Sequence, residues 1–186
     1  MKKVIHTVPF FSQRSEHEWQ ERGFGTVEDA VSWQERSCGI ACIKMVLDMH
    51  PEYSGQRFAD MIGEMKDKGI YRERVGCVHQ GIADELNARM IDAQSMKITS
   101  IERIKDLVDK GNILIVSIGV GFSDGRKSGH LVPLIGYIEE GSGVISFVVH
   151  YSSSWASHEQ AERQVDAGRF MEHFSGNAIR VRMYNS

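Results

Sequence analysis

At 186 residues, with 41% hydrophobic and 25% charged positions, the chain is long enough to bury a sizeable core and has the make-up of an ordinary soluble globular protein. A net charge of −3 gives no reason to expect nucleic acid or an anionic membrane surface as partner, and no apolar run is long enough to span a bilayer. Three cysteines, an odd number, fit free thiols better than a disulfide framework, and Met1 to Pro9 lacks the apolar stretch of a secretory signal, so the expected compartment is the cytoplasm.

Residues 3–11 read as a short extended segment ending at Val8-Pro9-Phe10-Phe11. Residues 14–32 are polar and mixed, and predict a surface insertion with one helical turn around Val27 to Val31. Ser37 is a good N-cap residue, Cys38 falls at the first helical position, and Ile40, Ile43, Met45, Val46 and Leu47 give an apolar face, so a helix is expected to run to about Met49 and stop before Pro51. Gly55 to Lys68 carries Phe58, Met61, Ile62 and Met65 at helical spacing and closes on Gly69. Val78 to Met90 and Ser100 to Val108 predict two further helices.

The pattern then changes to strands. Asn112 to Ile118 is a β-branched run, His130 to Tyr137 a second, and Val144 to His150 a third that pairs with the second through the turn at 139–143. Ser152 to Ser157 reads as loop, Asp166 to Phe174 as a short helix, and Ala178 to Met183 as a final alternating strand. Helices first and an antiparallel sheet second predict an α+β fold in a single domain over residues 1–186.

A thiol at a helix N-terminus sits at the positive end of the macrodipole, which favours the nucleophilic thiolate. Cys38 then needs a base. Among eight histidines, His130 stands out because it opens a strand directly after the glycine-rich segment Gly119 to Gly125. A base at the mouth of a sheet, facing a helix N-terminus, is a workable geometry for a Cys–His pair.

Val8-Pro9-Phe10-Phe11-Ser12-Gln13, Cys38-Gly39-Ile40-Ala41-Cys42, Gly129-His130-Leu131-Val132 with Ile135-Gly136-Tyr137, and the tail Arg169 to Ile179 follow one another in an order that resembles the papain-like cysteine peptidases of the bacteriocin-processing, double-glycine leader type and their stand-alone relatives. The resemblance implies a papain-like α+β fold, with a helical lobe led by the Cys38 helix packed on an antiparallel β half-barrel. It implies a peptide or protein substrate, and no metal or organic cofactor. It makes Cys38 the nucleophile, His130 the general base and Gln13 the oxyanion donor, with Gln34 as a rival for that role. The third catalytic position is where the sequence departs from the pattern. The family places Asp or Asn after the hairpin strand, whereas this strand ends in Val148-Val149-His150-Tyr151-Ser152-Ser153, leaving His150, Tyr151, Ser152 or nothing to orient His130. A degraded third position keeps open a catalytically weak or inactive peptide-binding module, and the cleft alone separates a peptidase from a thiol acyltransferase or amidase.

Other residues have simpler readings. Cys42 fits core packing better than a zinc ligand, the neighbouring Cys77 and His79 are expected on one helix pointing apart, and Met45, Met49, Met61, Met65 and Met90 read as core. Trp19, Trp33 and Trp155 serve either packing or a cleft. The Gly119 to Gly125 segment lacks the strand–loop–helix context of a phosphate loop and reads as a loop beside the active site.

Overall fold

Why the chain folds as it does is clearest in the strand Asn112–Ile118 (β5), whose apolar residues do not alternate with polar ones because both faces are covered. Ile113 and Ile115 pack into one buried cluster with the Cys38 helix, and Leu114 and Val116 pack into the other. The computed structural model describes residues 1–14, 16–119, 122, 129–141, 143–153 and 160–183. Among these residues a mixed α and antiparallel β architecture is observed, with the sheet between two helical layers.

On one side of the sheet lie α1 (Val27–Trp33), α2 (Cys38–Leu47), α3 (Phe58–Asp67) and α4 (His79–Ala88); on the other lie α5 (Ile101–Asp109) and α6 (Ala167–His173). The remaining strands are β1 (Lys2–Ile5), β2 (Tyr71–Arg72), β3 (Gly76–Cys77), β4 (Ala93–Lys97), β6 (His130–Glu140), β7 (Gly143–Val149), β8 (Arg163–Asp166) and β9 (Phe174–Arg182). The main sheet runs β4-β9-β5-β6-β7-β8, and β2 and β3 form a separate hairpin. The long strand β6 pairs with β5 over its first half and with β1 over its second, Val4 opposite Tyr137 and Ile5 opposite Gly136. Glycine is required at 136, since a Cβ there would stand 2.2 Å from the Val4 carbonyl oxygen.

Several expectations shift. The N-terminal strand is confined to Lys2–Ile5, and the Cys38 helix ends at Leu47. The insertion between Gln13 and Cys38 is not purely surface: Thr26 Oγ accepts from the Asp29 amide to start two turns of helix, and Phe24 is buried against Phe58. Ser37 precedes α2 but does not cap it through its side chain; its hydroxyl donates to the Trp33 carbonyl at 2.7 Å. Met90 lies outside the core, 85% exposed just past α4, whereas Met45, Met61 and Met65 are fully buried. The short strands β2, β3, β4 and β8 have no counterpart in the reading of the sequence, because two to five residues show too little alternation to register. No helix among the described residues is long and apolar enough to cross a membrane.

Candidate active site

The site lies where the start of α2 meets the start of β6. α2 is buried along its length from Gly39 to Leu47, so it runs through the middle of the helical layer and only its first residue reaches solvent. Cys42, one turn below Cys38, donates its thiol to the Leu131 carbonyl at 3.4 Å. This contact ties the helix to the residue after His130. Gly39 completes the approach, because a Cβ there would stand 2.5 Å from Cys77 Cβ and 3.2 Å from Leu131 Cδ1.

Cys38 and His130 therefore line one cleft of about 480 Å³, together with Ser117, Gly129 and Leu131 on the sheet side. The other wall is the β2–β3 hairpin and the loop before α2, with Glu35, Arg36, Tyr71, Glu73 and Arg74 at the rim. Arg36 pairs with Glu73 at 3.3 Å and stacks over the Trp33 ring at 4.1 Å, so Trp33 supports the rim while packing against Tyr71. Trp19 packs against the core of the helical layer, and Trp155 lies outside the described residues, as does most of the Gly119 to Gly125 segment.

The three free thiols are held differently. Cys42 is fully buried, and burial together with the nearby thiols of Cys38 and Cys77 pushes its pKa well above the usual value. Burial also pushes Cys77 up to about 12, with Cys38 adding to the rise and the Ile40 amide opposing it. Cys77 sits on a hairpin strand rather than a helix, and it and His79 both line the cleft with Cys38, contrary to the expectation of two side chains pointing apart.

The three candidates for orienting the base are sorted by their contacts. His130 is buried, with Tyr151 edge-on at 5.1 Å between ring centroids. His150, a strand away, does not orient it. His150 Nδ1 accepts from the Glu162 amide at 3.1 Å, so the proton is on Nε2, which donates to the Val8 carbonyl at 2.9 Å. Both nitrogens are committed to backbone, and burial lowers the ring's pKa. Ser152 turns away as well, donating to Gln13 Oε1 at 2.8 Å. The residue whose hydroxyl meets the His130 ring is Ser153, its Oγ 3.2 Å from Nε2, a position the sequence reading passed over.

Gln13 is fully buried and is not among the residues lining the cleft. Its amide nitrogen donates to the Gln34 carbonyl, and its backbone amide to the Ser152 carbonyl at 3.0 Å. Gln34 in turn donates its side-chain amide to Glu16. Both glutamines thus brace the segment leading into α2. Arg14 extends the brace: its Nε and Nη2 donate to the Ser153 carbonyl at 3.0 and 2.8 Å, and its Nη1 reaches Glu35 at 3.1 Å.

The family model described as "Peptidase_C39 like family" matches residues 5–178. No curated protein matches the sequence. Among solved structures, one described as a C39-like peptidase from Bacillus anthracis superposes with a TM-score of 0.63 at 15% identity, over 100% of both chains. A double glycine motif protease from an AMS/PCAT transporter, in complex with the leader peptide, gives 0.56 at 14% identity over 98% of this chain and 100% of that one. The peptidase domain of Streptococcus ComA gives 0.52 at 16% identity, over 80% and 93% respectively. At these identities the likeness speaks to fold, and the fold is papain-like.

Proposed function

The chain belongs to the Peptidase_C39 like family, and from that membership we propose that it is a cysteine peptidase whose nucleophile is Cys38 and whose general acid–base is His130. One observation carries the reading: a thiol at the first turn of a ten-residue helix and an imidazole at the first residue of a strand line the same cleft. The helix dipole favours the Cys38 thiolate, and an adjacent imidazolium holds it. The thiolate attacks the carbonyl carbon of the scissile amide. His130 gives its proton to the leaving nitrogen as the C–N bond breaks. His130 then takes a proton from water, whose oxygen attacks the thioester; the acid is released and the Cys38 thiolate and His130 imidazolium are restored.

Negative charge on the carbonyl oxygen in this scheme is met by the Cys38 backbone amide at the helix start. Gln13 serves that site by holding the Gln34 carbonyl, and so the approach of the chain to Cys38. A peptide is the favoured substrate. The cleft is open along a charged rim rather than closed around a small molecule, and the leader-peptide complex of a similarly folded protease supports the same choice. Three free thiols fit a reducing compartment such as the cytoplasm.

The test is the alkylation rate of each cysteine at mildly acidic pH, read by mass spectrometry in wild type and His130→Ala, followed by a peptide-cleavage screen with Cys38→Ala as control. Cys38 reacts fastest and loses that lead without His130. Cleavage falls at least about a thousandfold in Cys38→Ala. Equal Cys38 rates in both proteins would overturn the dyad and leave a peptide-binding module of the same fold.

A further inference from the structure

Resting on that reading, we infer that Ser153 is the positioning residue of His130 and that Arg14 holds Ser153 in place. Ser153 is buried, at 3% exposure, and its Oγ lies 3.2 Å from His130 Nε2. A hydroxyl can both donate and accept. When His130 is neutral, having given away its Nδ1 proton, it keeps the other on Nε2, and Nε2–H donates to Ser153 Oγ. When His130 is an imidazolium, Nε2–H donates to Oγ. One contact thus persists through the whole proton cycle and keeps Nδ1 as the nitrogen that exchanges the proton. A carboxylate in this place only accepts, and adds a charge that favours the imidazolium. Ser153 orients the ring without that charge.

The hydroxyl can do this only if the backbone beneath it is fixed. Two parallel N–H donors of Arg14 grip the Ser153 carbonyl, at 3.0 and 2.8 Å, while the third arm of the guanidinium reaches Glu35 at 3.1 Å, three residues before Cys38. The preceding residue is stapled too, its carbonyl accepting from the Gln13 amide at 3.0 Å. Arg14 therefore sets the distance between the segment after β7, which carries the positioning hydroxyl, and the loop that delivers the nucleophile. The neighbours on β7's end have other employment: His150 holds Val8 and Glu162, and Ser152 holds Gln13.

The experiment reads two quantities: the pH titration of the His130 ring by NMR of histidine-labelled protein, and the Cys38 alkylation rate at pH 6.5 by mass spectrometry. Both are measured in wild type, Ser153→Ala, Ser153→Thr, Ser153→Asp, Arg14→Met and His130→Ala. The groups facing His130 across the cleft (Glu35, Arg36, Glu73, Arg74, His79) and Arg163, 5.2 Å over the Tyr151 ring, are common to the Ser153 variants, so differences report position 153. Ser153→Ala is expected to slow Cys38 about ten- to a hundredfold and move the His130 titration to lower pH. Ser153→Thr restores both, Ser153→Asp moves the titration up by about one unit or more, and Arg14→Met follows Ser153→Ala with a smaller change. An unchanged titration and rate in Ser153→Ala, with the rate still lost in His130→Ala, would overturn the positioning role and leave the peptidase reading standing. An unchanged rate in His130→Ala would remove both. If Ser153→Ala loses its fold, seen as loss of Cys42 protection, Ser153→Asp and Arg14→Met decide by the same criteria.

Discussion

The two walls of the cleft solve the same problem by different physics. The helical side carries Cys38 and Cys42, with Cys77 on the adjoining hairpin, and the sheet side carries two buried histidines; on each side one residue is the candidate for chemistry while its like is nearby. Thiols are weak hydrogen-bond partners, so burial separates them: Cys42 is sealed at 0% exposure and Cys77 is pushed up to about 12, while Cys38 stands at a helix end. Imidazoles are strong partners on two sides, and hydrogen bonding separates them. His150 has both nitrogens on backbone and acts as a clip between Val8 and Glu162, whereas His130 meets a hydroxyl. A residue type alone therefore says little about reactivity here; its partners and burial decide.

The contrast can be attacked from either wall. The largest effect belongs to Cys42, which must wait for unfolding to react: its alkylation in the native protein is expected about a thousandfold or more slower than in urea, measured by mass spectrometry. Comparable rates would mean that burial does not separate the thiols. Next is Gly39→Ala, which forces a methyl within 2.5 Å of Cys77 Cβ and 2.7 Å of its sulfur. We expect a loss of about 1–3 kcal/mol in a denaturant titration, largely recovered in Gly39→Ala with Cys77→Gly. Failure of the second change to recover stability would place the strain elsewhere.

The smallest effect concerns the imidazole wall and pH. Burial lowers the pKa of His150, and of His79 with Lys97 adding to it, so the unfolded chain binds protons that the folded chain refuses. Stability from these groups is fully present above the unfolded histidine pKa of about 6.5 and is lost as pH falls from there toward the folded values, at no more than about 1.4 kcal/mol per pH unit for each ring. Urea midpoints between pH 5 and 7.5 should slope accordingly, with a shallower slope in His150→Gln; an equal slope would show that His150 is not held neutral.

Much of this was readable in the chain. Strand β5 begins and ends at the predicted residues, and α2 and β6 begin where the thiol and the imidazole do, because long apolar runs with clear flanks have one cheap solution. Ser153 was not readable. It sits in a run of serines beyond the end of β7, and which of them meets His130 depends on register shifts in the β6–β7 pairing near Leu134 and Ile138, which no local pattern encodes. Arg14 escaped notice for a similar reason, its partners being 139 and 21 residues away. Gln13 was singled out by its block, yet its amide hydrogen bonds run to Gln34 and Ser152. Cys77 was misplaced because a hairpin with two-residue strands leaves almost no trace in hydrophobic spacing.

That hairpin has a further consequence. It supplies Glu73 and Arg74 of the cleft's charged rim yet is joined by only two residue pairs, Tyr71 with Cys77 and Arg72 with Gly76, and its turn carries Arg74 at φ 66° and Val75 at 72% exposure. The catalytic candidates are anchored on α2 and β6, so the turn residues can be exchanged without disturbing either anchor. In evolutionary terms, under the proposed function, selectivity and chemistry sit on separable parts: Glu73, Arg74 and Val75 can drift to suit a new substrate while the core sequence stays under its own, stricter selection.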